Sequence, residues 1–150
     1  MIALIQRVSS ASVRIEQQLV GEIGPGLLAM IGVVQGDDAW QADQLLQKVL
    51  DFRMFADSAG RMNRSLREVQ GGLLLVPQFT LAAETERGNR PGFSRAAAPD
   101  VAAALYEHLL ARALEAHGPV ASGRFGASMQ VSLINDGPVT FWLQSKGTVK

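Results

Sequence analysis

Gly24-Pro25-Gly26-Leu27-Leu28-Ala29-Met30-Ile31-Gly32-Val33-Val34 joins a turn to an unbroken apolar run. The run falls short of the roughly 20 residues a membrane helix needs and suits a strand buried on both faces. The flanking sequence builds outward from it. Asp37-Asp38 offers a helix N-cap, and Gln41 stands three residues after Asp38, the spacing of a capping box. Ala42, Leu45, Leu46, Val49 and Arg53 then recur at helical spacing. They predict a helix ending between Phe52 and Phe55, ahead of the turn Asp57-Ser58-Ala59-Gly60. Upstream, residues 2–16 are β-rich and partly alternating, with Ile2, Leu4, Val8, Val13 and Ile15 as the apolar members.

Downstream, Leu73-Leu74-Leu75-Val76 predicts a short strand leading into Pro77-Gln78-Phe79-Thr80-Leu81, followed by a Gly/Arg/Pro-rich loop over 86–98. Pro99 suits the first turn of a second helix. Its expected stripe is Val101, Leu105, Leu109 and Ala113, and Gly118-Pro119 ends it. Two final strands, 129–134 and 139–143, flank the turn Asn135-Asp136-Gly137-Pro138. Strands at both ends with two main helices between them define an α+β fold with a mixed sheet, read as one domain over 1–150. Two helices barely cover both faces of such a sheet, and the exposed remainder favours a homodimer.

Composition removes several chemistries. The chain has no cysteine, which excludes disulfides, thiolate zinc sites and cysteine nucleophiles together. No apolar run reaches membrane length, and the start, Met1-Ile2-Ala3-Leu4-Ile5-Gln6-Arg7, lacks the pattern of a signal peptide, so no membrane and a cytoplasmic location are expected. A formal net charge of +0 argues against nonspecific coating of nucleic acid. Arg61, Arg64, Arg67, Arg87, Arg90 and Arg95 nevertheless face only Glu68, Glu84 and Glu86 between positions 61 and 95. That excess reads either as a solvated loop surface or as a meeting place for a few phosphates.

The common hydrolase signatures are absent. There is no G-x-S-x-G elbow and no H-E-x-x-H helix. His108 and His117 are nine residues apart, about 900° of helical rotation, which sets them on opposite faces. Glu84 and Glu86 read as solvated loop acids, and Asp136 as a turn residue. No cluster has metal-ligand spacing, so neither a metal nor a cofactor is expected. Any hydrolysis would draw on backbone groups or on the substrate.

Pro77-Gln78-Phe79-Thr80-Leu81 and Asn135-Asp136-Gly137-Pro138-Val139-Thr140 resemble the S-Q-F-T-L and N-x-G-P-x-T signatures of the D-aminoacyl-tRNA deacylase family. The likeness extends over nearly the whole chain, through Gln6-Arg7-Val8, Gly21-Glu22-Ile23-Gly24, Arg61-Met62-Asn63, Thr85-Glu86-Arg87-Gly88, Arg90-Pro91, Phe93-Ser94 and Met129-Gln130-Val131-Ser132-Leu133. It implies a curved sheet, a homodimer with the active site at the subunit interface, and the acceptor 3′ end of an aminoacyl-tRNA as partner. Gln78, Phe79 and Thr80 would be the catalytic residues, with backbone N–H groups near Phe79 and Thr80 stabilising an oxyanion. Gly137-Pro138 would be a cis peptide reaching into the partner's site and rejecting L-residues by steric exclusion, so that glycine passes. Asn135 belongs to the same turn; Arg7 would brace it, and Met129 would pack nearby. The terminal 2′-hydroxyl of the tRNA would assist the chemistry.

Position 77 departs from the family pattern. Proline replaces the usual serine, so a hydroxyl and an N–H are both missing there. Two alternatives stay open at this point: a related deacylase clearing achiral or L-mischarged tRNA, and a non-catalytic RNA-binding module. The second has few aromatics to stack on, 6% of the chain.

Overall fold

The backbone alternation of the apolar runs sets the architecture of the computed structural model, which describes residues 1–147; the last three positions of the 1–150 reading lie outside the described residues. In β3 (Gly26–Gly32) and β6 (Gly72–Pro77), successive side chains point to opposite faces. Leu27, Ala29, Ile31, Leu73 and Leu75 enter one core, while Leu28, Leu74 and Val76 enter a second. β3 and β6 are parallel neighbours, and burial on both faces is why each reads as a continuous apolar run.

The main sheet runs in the order β2 (Gln18–Ile23), β1 (Ile2–Ile15), β3, β6 and β7 (Val120–Ser122), with β8 (Gln130–Gln144) paired to β1. Its long members are β1 and β8, antiparallel along nearly their whole length. β2 pairs with β1 and β7 with β6. β2 and β7 approach closely, since a Cβ on Gly21 would lie 3.0 Å from the Ser122 carbonyl oxygen, so the sheet curls towards a barrel.

The predicted capping box holds. α1 (Ala39–Asp51) begins at Asp38, whose carboxylate accepts from Trp40 and Gln41 N–H while the Gln41 side chain accepts from Asp38 N–H. Such a cap contributes about 1 kcal/mol. Ala42, Leu45, Leu46 and Val49 face the core as read. Arg53 leaves the stripe, because the helix stops at Phe52 and Arg53 opens β4 (Arg53–Ala56), which pairs with β5 (Met62–Ser65). A single turn, α2 (Leu66–Val69), follows.

α3 (Pro99–Ala116) is present, but its buried stripe is Ala102, Tyr106, Leu109 and Ala113. Val101 is exposed and Leu105 only half-buried. Tyr106 decides the rotation, because its ring is buried and its hydroxyl donates to the Leu75 carbonyl oxygen at 2.9 Å. Both α1 and α3 lie over the same face of the sheet. The other face is covered by the sheet's own curl, which replaces the expected division of the helices between two faces. No helix among the described residues is long and apolar enough to cross a membrane.

Burial pushes the Tyr106 phenol upward from its ordinary pKa. A raised pKa in the folded state stabilises fully below the unfolded value and is lost as pH climbs through the folded one. Chemical denaturation should therefore show stability falling above about pH 10, and Tyr106→Phe should flatten that fall while costing about 1–2 kcal/mol at neutral pH.

Candidate active site

β6 ends at Pro77, and a 3-10 turn over Phe79–Ala82 follows. Gln78 N–H donates to the Ile31 carbonyl oxygen at 2.7 Å, and Leu73 N–H to that of Pro119. Odd positions of β6 thus face β7 and even positions face β3. The nitrogen of Pro77 points to the β7 side, where the last bond is from Gly123 N–H, just past Ser122, to the Leu75 carbonyl oxygen. Proline fits there because the ladder stops with that bond.

The turn borders a cleft of about 450 Å³, walled by Pro77, Gln78 and Phe79 on one side and by Phe125, Met129 and Val131 on another. No Asp, Glu, His, Lys or Arg lines it. The 3-10 turn starts without a side-chain cap, which leaves the first N–H groups, at Phe79 and Thr80, without an intrahelical partner. Thr80 is exposed, and the Gln78 amide nitrogen donates to its hydroxyl. A donor amide cannot take a proton from that hydroxyl, so Thr80 has no activating base in this arrangement. Phe79 is 57% exposed and packs against Phe93 with ring centroids 5.1 Å apart.

The 135–140 segment lies inside one continuous strand rather than between two. Its register explains the form. Gln6 pairs with Thr140 and Val8 with Asn135, so β8 spends three more residues than β1 across this interval, and they loop outward. Asn135 closes the loop: its side-chain oxygen accepts from Val139 N–H at 2.7 Å, and its amide nitrogen donates to Thr140 Oγ1 at 3.1 Å. The Gly137-Pro138 peptide is cis, as the resemblance implies, and so is Gly118-Pro119, which sequence reading assigned only to the end of a helix. Arg7 spans from the loop to β4, with Nε on the Asp136 carbonyl oxygen and Nη1 on that of Met54, both at 2.8 Å.

The proposed residues therefore fall into two groups. Pro77, Gln78, Phe79 and Met129 line the cleft, with Thr80 beside them; Arg7, Asn135, Gly137 and Pro138 form the loop. Met129 lies against Gly123, and its sulfur accepts from Arg124 N–H, so within one chain it packs at the cleft and not on the loop. None of residues 135–140 lines the cleft. Val131, which does, stands four residues from Asn135, where the loop begins, about 13 Å along the strand.

Phe93 and Phe125 were given no role from sequence. Phe93 carried a signal in the Phe93-Ser94 match, whereas Phe125 sits in a loop with no periodicity. His108 pairs with Asp43 at 2.9 Å, and His117 contacts the Gly71 carbonyl oxygen at 2.6 Å, so both histidines are engaged away from the cleft. Among the described residues, no group of three or more His, Asp or Glu is placed to hold a metal ion.

This curled sheet with its helices on one face is the fold of the D-amino acid tRNA deacylases. A solved structure described as a "probable eukaryotic D-amino acid tRNA deacylase" superposes with a TM-score of 0.85 over 95% of this chain and 97% of that one, at 18% identity. A second, the "c-Myc DNA Unwinding Element Binding Protein", superposes at 0.92 with 34% identity over 97% and 99%. Sequence gives the family. The family model described as D-Tyr-tRNA(Tyr) deacylase matches residues 4–144. A D-aminoacyl-tRNA deacylase of Thioalkalivibrio sulfidiphilus is 59% identical over 144 residues, covering 96% of this chain and 97% of that one. One from Klebsiella pneumoniae is 57% identical over 96% and 99%. The chain belongs to the D-Tyr-tRNA(Tyr) deacylase family.

Proposed function

We propose that this protein hydrolyses the ester of D-aminoacyl-tRNA, releasing the D-amino acid and free tRNA. The observation that carries the reading is the uncapped turn at Phe79, opening onto a cleft with no ionisable lining. Such a site stabilises charge through main-chain N–H groups, and one donor aimed at a developing oxyanion is worth about 10²- to 10³-fold in rate. Gln78 positions the Thr80 hydroxyl. The 2′-hydroxyl of the terminal adenosine, already adjacent to the ester, supplies the proton relay that the lining lacks.

Handedness is judged by the Gly137-Pro138 loop of a second copy. The loop is exposed, held by Arg7 and Asn135, and lies outside its own chain's cleft. If both signatures serve one site, each cleft takes its loop from the partner of a homodimer. Main-chain atoms crowding one side of the substrate Cα leave room for a D side chain and none for an L one. Glycine, having neither, is accepted.

The test is a paired assay on D- and L-tyrosyl-tRNA. The D ester should be cleaved at least about a hundredfold faster, glycyl-tRNA should be cleaved at raised enzyme concentration, and a terminal 2′-deoxyadenosine should slow turnover by a similar factor. Equal cleavage of the two mirror-image esters would sink the proposal.

A further inference from the structure

Three arginines near the cleft have no assigned work. Arg87, Arg90 and Arg95 surround a pocket of about 330 Å³ together with Glu84, Thr85 and Glu86. The loop that carries them is exposed yet pinned. Glu84 and Gly92 exchange backbone hydrogen bonds at 2.7 and 3.0 Å, the Ser94 hydroxyl donates to the Glu84 carboxylate, and Gln35 holds the Ser94 and Arg95 carbonyl oxygens. Among the described residues, Arg7, Arg67 and Arg112 have ion-pair partners, and none of these three does. The Glu84 and Glu86 carboxylates share the lining, three positive charges against two negative, so the pocket keeps a net excess of one positive charge. The guanidiniums repel one another, the two carboxylates offset that only in part, and an anion placed between the arginines relieves the remainder.

The pocket shares a wall with the cleft. Phe79 lines the cleft, Phe93 packs on Phe79, and Gly92, next to Phe93, lines the pocket. A ligand whose ester end occupied the cleft would pass its next few groups over this aromatic pair. We propose that Arg87, Arg90 and Arg95 hold the sugar-phosphate backbone of the single-stranded 3′ end of tRNA, just upstream of the terminal adenosine. The inference rests on the function proposed above and adds its polynucleotide specificity. Guanidiniums take the phosphates bidentately, and the exposed Glu86 carboxylate accepts from a ribose 2′-hydroxyl, a group that RNA has and DNA lacks.

The experiment compares two substrates and one binding probe. In the variant Arg87→Ala/Arg90→Ala/Arg95→Ala, kcat/KM for D-tyrosyl-tRNA should fall on the order of tenfold, mostly through KM, and its logarithmic salt dependence should flatten by about 2. Hydrolysis of D-tyrosyl-adenosine, which carries no phosphate, should keep its wild-type kcat/KM. Equal losses on both substrates, or none on either, would overturn the assignment. Fluorescence anisotropy with a deacylated acceptor-stem RNA ending in CCA reads the site without catalysis. Weaker binding by the variant supports the arginine site even if the wild type cleaves neither ester, a result that would remove the proposed function alone. Indistinguishable binding of that RNA by both proteins would overturn the site.

Discussion

Gly137→Ala is expected to lower D-tyrosyl-tRNA hydrolysis about a hundredfold in a protein that still folds. A Cβ at this position would lie 2.5 Å from Val139 Cγ2 and 2.6 Å from Val139 N. Val139 cannot yield, since its side chain is buried in the main core and its N–H is held by Asn135. The exposed part of the loop must move instead. Overpacking of this kind costs about 1–3 kcal/mol, which the core survives. Displacing a substrate-positioning main chain by about 1 Å costs on the order of 10² in rate. Single-turnover hydrolysis alongside a thermal melt separates the two effects. Wild-type turnover in the variant would show that the loop does not shape the reacting site.

Gly26→Ala should do the opposite, removing the fold before activity can be asked about. Gly26 and Gly72 are register partners where β3 and β6 begin. An added Cβ would run into the Gly72 carbonyl oxygen and stand 2.6 Å from its nitrogen and 2.7 Å from its carbonyl carbon. All three are backbone atoms of the central parallel pair, so no rotamer change relieves the clash. The strands must part, and a loss above about 4 kcal/mol is expected. With a urea slope near 2 kcal/mol/M, the midpoint should drop by about 2 M. A retained midpoint would mean that the two strands are not in contact at this pair.

Legibility in the sequence followed burial. β3, β6 and the capped start of α1 were readable because each is covered on the sides its pattern predicts. β2 was not, since its hairpin turns on Glu16 and Gln17, both at positive φ, and neither is the glycine or asparagine that announces such a turn. The β4–β5 ribbon is largely exposed and shows no alternation; part of what joins it is a hydrogen bond from Arg53 to Asn63. β7 is three half-buried residues, too short for any period. Leu109 and Ala113 of the α3 stripe were read correctly, but its first two positions were one residue out of phase, because an apolar count ranks Val101 and Leu105 above Ala102 and Tyr106. Tertiary packing chose the residue with a hydroxyl for Leu75. For the site, resemblance marked both signatures. No local pattern could have placed them in separate parts of one chain, because that separation follows from strand pairing between residues more than a hundred positions apart.

Pro77 has a consequence for the path of the chain beside it. The last bond on that side is from Gly123 N–H to the Leu75 carbonyl oxygen, and Gly123 then stands against the proline ring, where a Cβ would come within 3.6 Å of Pro77 Cδ. With proline at that spot, the next rung has no hydrogen to form it, and the chain after Gly123 parts from the strand. The departing segment instead carries Phe125 and Met129 round to face Gln78 across the cleft, so a hollow remains where a longer ladder would have closed it.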